Sequence, residues 1–118
     1  MFVRRGDVFN VNFGQRVGHE EEGLRPAIIV QADLYCALST IWVIPTSTSA
    51  RPDIEFHVPV TVRGQRTFAL IEQLTTVDKA RRIRPERYLD HLSNEEMEEI
   101  NEMMRIFGGL DPTFGVRF

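Results

Sequence analysis

Residues 55–74, EFHVPVTVRGQRTFALIEQL, decide the fold class. Phe56, Val58, Val60 and Val62 alternate with polar residues, which is the period-two pattern of a strand with one face turned to a core. Arg63-Gly64 then supplies a two-residue turn before a second apolar run, so the stretch reads as a β-hairpin. Pro59 cannot donate to a sheet ladder, and this marks its strand as an edge.

Working outward, the same alternation appears in DVFNVNF, residues 7–13. Phe9, Val11 and Phe13 fall on one face, and Val8, Asn10 and Asn12 on the other, as in a half-buried strand. RPAIIVQ (25–31) and TIWVIP (40–45) are continuous apolar runs too short for core helices, and read as strands covered on both sides. Downstream, Ser93 and Glu96 form a capping box, with Leu92 and Met97 placed as a hydrophobic staple. Met97, Ile100, Met104 and Phe107 recur at helical spacing until Gly108-Gly109 stops the helix. The sum is an α+β chain, mainly β, with about five to seven strands in a small curled sheet or barrel and one C-terminal helix. With 118 residues the chain has material for one domain. The tail, residues 108–118, is not assigned.

Charge is segregated. Residues 1–88 carry twelve Lys or Arg against ten Asp or Glu, a balance of +2; residues 89–118 carry two against seven, a balance of −5. Four glutamates in the first turns of the helix account for much of the acidity, since the helix dipole favours them there. Thirteen of the fourteen basic residues are arginine, which suits bidentate phosphate contact and equally fits codon bias. Neither a long apolar segment nor a leader pattern is present, so the expected location is the cytoplasm, with no membrane association. Cys36, the single cysteine, reads as a packing residue.

No Gly-rich phosphate loop, HExxH or spaced ligand set occurs, so neither cofactor nor metal is expected. His57 and His91 read as surface residues. His19 lies in the acidic, glycine-flanked loop GHEEEG (18–23), where it is a candidate for proton transfer. Arg25 opens one apolar strand, and Thr46, Ser47, Thr48 and Ser49 close another. If the two strands are neighbours, guanidinium and hydroxyl meet at one end of the sheet, with Glu20 close by. Such a trio can hold a phosphate, stabilise a developing oxyanion and take a proton from a ribose 2′-OH.

RRGDVF (4–9), VGHEEEGLRPAIIVQAD (17–33), VIPTSTS (43–49) and ALIEQLTTVDKARR (69–82), in this order and spacing, resemble the MazF/PemK family of toxin endoribonucleases. The resemblance covers about residues 3–107. It implies a small SH3-like β-barrel, a homodimer, a cognate antitoxin, and metal-independent cleavage of single-stranded RNA (mRNA). Carried across by position, the catalytic arginine is Arg25, the loop glutamate Glu20 and the catalytic hydroxyl Ser47, with Thr48 as the alternative. His19 and Gln73 fall near the RNA path, and Arg81 and Arg82 are phosphate contacts. Where relatives carry Ser-Glu-Gln-Gly-Gly, this chain has His19-Glu20-Glu21-Glu22-Gly23, which adds negative charge and reads as a lid over Arg25. Two rival classes are a barrel toxin that binds a DNA topoisomerase without cleaving anything, and a barrel that only binds nucleic acid.

Overall fold

The computed structural model describes residues 2–15, 18 and 23–110. His19, Glu20, Glu21, Glu22 and the segment 111–118 lie outside the described residues. Seven strands form one curled sheet: β1 (Asp7–Asn12), β2 (Leu24–Ile29), β3 (Thr40–Ser47), β4 (His57–Val62), β5 (Gln65–Leu70), β6 (Thr75–Asp78) and β7 (Ile83–His91). A four-residue helix α1 (Lys79–Arg82) joins β6 to β7, and α2 (Asn94–Phe107) follows β7. The order is β4-β5-β3-β2-β1-β7, with β6 also paired to β3.

The β4–β5 hairpin is the one the alternation predicts. Val62 faces Gln65 across the turn, and Arg63 and Gly64 both have positive φ, 50° and 80°. Such a turn twists with its strands, and the glycine makes it accessible. β4 lies at the sheet edge, as Pro59 requires. The other edge, β7, comes back to the hairpin tip. Arg63 donates its backbone N–H to Asp90 Oδ2 at 2.8 Å and its Nε to the Leu89 carbonyl at 2.8 Å. One arginine thus bridges the two edges of the curl.

β3 organises the interior because its far edge is shared. Thr40–Val43 pair with β6, whereas Thr46 and Ser47 pair with Ala69 and Phe68 of β5. The strand therefore leaves one sheet face and enters another, and the sheet curls around two apolar clusters. The first holds Val8, Ile28, Val30, Ile44, Val58, Val60, Val62, Ala69 and Ile71, closed by Leu92, Met97 and Ile100 at the start of α2. The second holds Phe9, Val11, Phe13, Ala27, Ile29, Ile41, Val43, Val77 and Ile83, on the opposite face of β1–β3.

This arrangement corrects the half-buried reading of β1. Val8 is as buried as Val11, because β1 lies between β2 and β7 with a core on each face; only Asn10 and Asn12 follow the polar expectation. β2 is covered on both sides at Ala27–Ile29, as expected. β3 departs at Trp42, 49 % exposed within an otherwise apolar run. The helix matches its sequence signals. Ser93 and Glu96 exchange both capping-box hydrogen bonds, and Leu92 and Met97 pack in the same cluster. Gly109, at φ 71°, ends the helix while the Gly108 N–H bonds the Met104 carbonyl. No described helix is long and apolar enough to cross a membrane.

Candidate active site

The end of the sheet carrying the β1–β2 loop holds Arg25, Ser47, Thr48 and Arg82; His19 and Glu20 lie outside the described residues. β2 and β3 are antiparallel, with Ala27 opposite Pro45 and Ile28 opposite Ile44. The pairing ends at Ala27 and Pro45; extended by two residues, the same register would bring Arg25 opposite Ser47. Directly opposed residues share a face, so both belong to the face of Ala27, that of the second cluster. Thr46 and Thr48, by alternation, belong to the other face. Thr46 donates to the Pro26 carbonyl at 3.1 Å. Ser47 is the last residue of β3, and Thr48 begins the turn after it and lines a cleft together with Thr46.

The two residues differ in surroundings. Arg25 is exposed, whereas Ser47 is 9 % exposed, and its Oγ lies 3.1 Å from Ser49 Oγ and accepts from the Ser49 N–H at 3.3 Å. A hydroxyl fixed by its own turn is held in one orientation, which is useful where it must meet a phosphate oxygen.

The arginines of α1 separate. Val11 pairs with both Arg25 and Ile83, which brings the start of β7 to the same end of the sheet. Arg82, next to Ile83, lies against Gly14 at the root of the β1–β2 loop; a Cβ there would sit 3.0 Å from its Nη1. Arg81 is exposed, and its backbone N–H is capped by Asp78. Composition and periodicity do not reveal α1, because four residues are too few to show a helical period; the Asp78 cap is its one local signal.

Gln73 ends a 3-10 turn, Ile71–Gln73, between β5 and β6. β5 leaves β3 at Thr46, and β6 joins it at Val43. The turn therefore flanks Ile44–Pro45, about two to three residues from Ser47, or ~7–10 Å of strand.

His57 is not a surface residue: it is 9 % exposed. Nδ1 lies 3.1 Å from the Arg51 carbonyl and Nε2 2.9 Å from Glu72 Oε2. Both partners are acceptors, so both contacts are made at once only when the ring carries both protons or Glu72 carries one. The imidazole thereby ties the segment after the hydroxyl run to the turn that ends in Gln73. The alternation of β4 could not reveal this, because the cover comes from residues remote in sequence. His91 is partly exposed, its Nδ1 2.8 Å from Asp7 Oδ1, an ion-pair geometry that anchors β7 to the start of β1. Cys36 is buried, its Sγ 3.6 Å from the Gln31 carbonyl; burial, with Asp33 nearby, pushes the thiol up from its ordinary value. That is an unreactive packing residue. Among the described residues no group of three or more His, Cys, Asp or Glu could hold a metal.

Comparison with known proteins fits this geometry. The model of the PemK-like, MazF-like toxin family of type II toxin–antitoxin systems matches residues 4–107. Endoribonuclease EndoA of Bacillus subtilis (strain 168) is 28% identical over 112 residues, 90% of this chain and 94% of that protein. A putative toxin of Mycobacterium tuberculosis is 38% identical over 76 residues, 64% of this chain and 70% of that one. Among solved structures, MazF from Deinococcus radiodurans superposes with a TM-score of 0.77 at 19% identity, covering 92% of this chain and 98% of that one. An endoribonuclease from a mycobacterial species, solved with its cognate antitoxin, gives 0.76 at 19% identity, over 92% and 97% of the two chains.

Proposed function

From the premise that the chain belongs to the PemK-like, MazF-like toxin family of type II toxin–antitoxin systems, we propose that it is a sequence-specific endoribonuclease. Its substrate is single-stranded mRNA, and its mechanism uses the ribose 2′-OH in place of a metal-bound water. The observation that supports this reading is the antiparallel pairing of β2 with β3, Ala27 opposite Pro45, which brings the strand ends that bear Arg25 and Ser47 to the same end of the sheet.

The roles follow from chemistry. A base removes the 2′-OH proton, the 2′-oxygen attacks the adjacent phosphorus, and the bond to the 5′-oxygen breaks, leaving a 2′,3′-cyclic phosphate. The departing 5′-oxygen takes a proton. Arg25 offers two parallel N–H groups to the oxygens that gain charge, and Ser47 donates a third hydrogen bond. Glu20, five residues before Arg25, is the base, with His19 as the proton carrier beside it. Arg82 at the loop root and the exposed Arg81 attract the phosphate chain, and Gln73 lies along the RNA path. Thr48, on the other face, is not assigned to the reaction.

The working state is a homodimer in the cytoplasm, one domain per chain over 1–118, silenced by a cognate antitoxin. Likeness to the mycobacterial endoribonuclease solved with its cognate antitoxin supports the antitoxin partner.

The test is incubation of the purified chain with a long RNA in excess EDTA. Cleavage at a recurrent short sequence with cyclic-phosphate ends is expected, and Ser47→Ala should slow it more than Thr48→Ala. Intact RNA, or cleavage that appears only when magnesium is added, would overturn the reading. Intact RNA with a DNA topoisomerase captured instead would point to a poison.

A further inference from the structure

The strands that enclose the first apolar cluster do not stay apolar to their ends. Along β1 the inward side chain changes from Val8 to Asn10, along β3 from Ile44 to Thr46, and along β5 from Ala69 to Thr67. At the α2 end the cluster is stoppered by Leu92, Met97 and Ile100. At the other end it opens into a cleft of about 250 Å³. Pro26, Val62 and Leu89 form apolar walls, and Asn10, Thr46, Thr48, Gln65 and Thr67 supply amides and hydroxyls.

Thr67 is 5 % exposed as a residue, but its hydroxyl is not among the fully buried polar atoms left without a partner, so it opens to the cleft, as do the side chains of Asn10, Thr48 and Gln65. Polar groups that face an open cleft are met by water, and a ligand that reached them would take those hydrogen bonds over. Among the described residues the lining carries no carboxylate. Its one described cation, Arg63, donates Nε to the Leu89 carbonyl at 2.8 Å and Nη2 to the Tyr88 carbonyl at 3.4 Å. The cleft is therefore shaped for a neutral, flat molecule with donors and acceptors along its edge.

We propose that this open end of the curled sheet receives one unpaired nucleobase of the RNA, next to the phosphate held by Arg25 and Ser47, and so sets part of the cleavage sequence. The placement rests on the ribonuclease reading. Pro26 follows Arg25, and Thr46 and Thr48 flank Ser47, each one residue or ~3.8 Å along the chain. A phosphate on one face of the strand pair and a base turned over its end onto the other are thus compatible with a single nucleotide step. Asn and Gln amides read base edges through paired donor and acceptor contacts, and single-stranded RNA presents those edges unpaired.

Two measurements test the pocket. In the first, wild type, Thr67→Val and Gln65→Ala cut a randomised RNA pool. The variants should lose about tenfold on the preferred sequence and relax the preference at one position beside the cut, while other positions keep theirs. An unchanged preference in both variants would overturn the proposal. In the second, short oligoribonucleotides made uncleavable by a 2′-deoxy sugar are titrated into the wild-type chain. The methyl NMR signals of Thr46, Val62 and Thr67 are followed, together with those of Leu34 and Leu38 as controls. Shifts confined to the first group support the pocket, and shifts that spare them sink it. If wild type cuts no RNA, the ribonuclease reading falls, and the titration alone decides whether a base still enters the cleft.

Discussion

The two ends of the curled sheet are built from the same strands and differ in what those strands point inward. Toward α2 the inward residues are Val8, Ile28, Ile44, Val58 and Ala69, sealed by Leu92, Met97 and Ile100. At the opposite end they are Asn10, Pro26, Thr46 and Thr67, with Arg25 and Ser47 on the other face of the same strands. Apolar area removed from water stabilises the fold at roughly 25 cal/mol per Å²; hydroxyls and amides at a rim add little of that. The helical end carries stability and the loop end the proposed chemistry, and on β1, β3 and β5 the boundary falls within two residues.

That division can be broken by substitution. Ile28→Ala, at the centre of the apolar end, should cost about 2–5 kcal/mol by calorimetry, the loss of a large side chain plus the cavity left behind. Per folded molecule, the rate of RNA cleavage should be unchanged. His57→Ala should cost about 1–3 kcal/mol, because Glu72 and the Arg51 carbonyl both lose a partner. It should also loosen the turn that ends in Gln73, which hydrogen exchange of residues 71–73 would register as faster opening. His57→Gln, with one donor kept, should lie between His57→Ala and wild type.

Ser93→Ala removes the α2 cap and should cost about 1 kcal/mol in urea unfolding, with no effect at the loop end. The smallest effect is expected at the bridge between the sheet edges. The backbone N–H groups of Arg63 and His91 hold the Asp90 carboxyl below its ordinary value. A depressed folded-state value contributes stability above the unfolded-state value of about 3.9, and this is lost as pH falls through the folded one. Asp90→Ala should therefore cost under about 1 kcal/mol at neutral pH, given its exposure, and the difference from wild type should begin to shrink below about pH 4 and vanish once the pH is below the folded-state value. A difference that grew in acid would contradict the assignment.

How much of this was legible in the sequence depends on the range of the interaction. The hairpin at Arg63-Gly64, the capping box at Ser93 and the stop at Gly109 are local, and each is readable from a few neighbouring residues. The approach of Arg25 to the hydroxyl run 46–49 was also accessible, since an arginine opening one apolar run and hydroxyls closing another come to the same end if the runs are antiparallel neighbours; Ser47 was singled out within that run by the family resemblance. The double burial of Val8 was not accessible, because it depends on the curl of the sheet that gathers Val58, Val60, Ala69 and Ile100, all remote in sequence, into one cluster with it. The burial of His57 needed the 3-10 turn after β5 to fold back on β4. The cleft at the loop end was hidden for the same reason: one polar residue near a strand end is unremarkable, and only the curl brings Asn10, Thr46 and Thr67 together.

The central claim, that Arg25 acts on the reacting phosphate and is dispensable for the fold, is tested most directly by single-turnover cleavage of a labelled RNA by Arg25→Ala. Loss of a preorganised charge donor predicts a rate roughly 10²- to 10³-fold below wild type, with the melting temperature within a few degrees of it and only partial rescue by Arg25→Lys. A folded Arg25→Ala protein that cleaves within threefold of wild type would contradict the account.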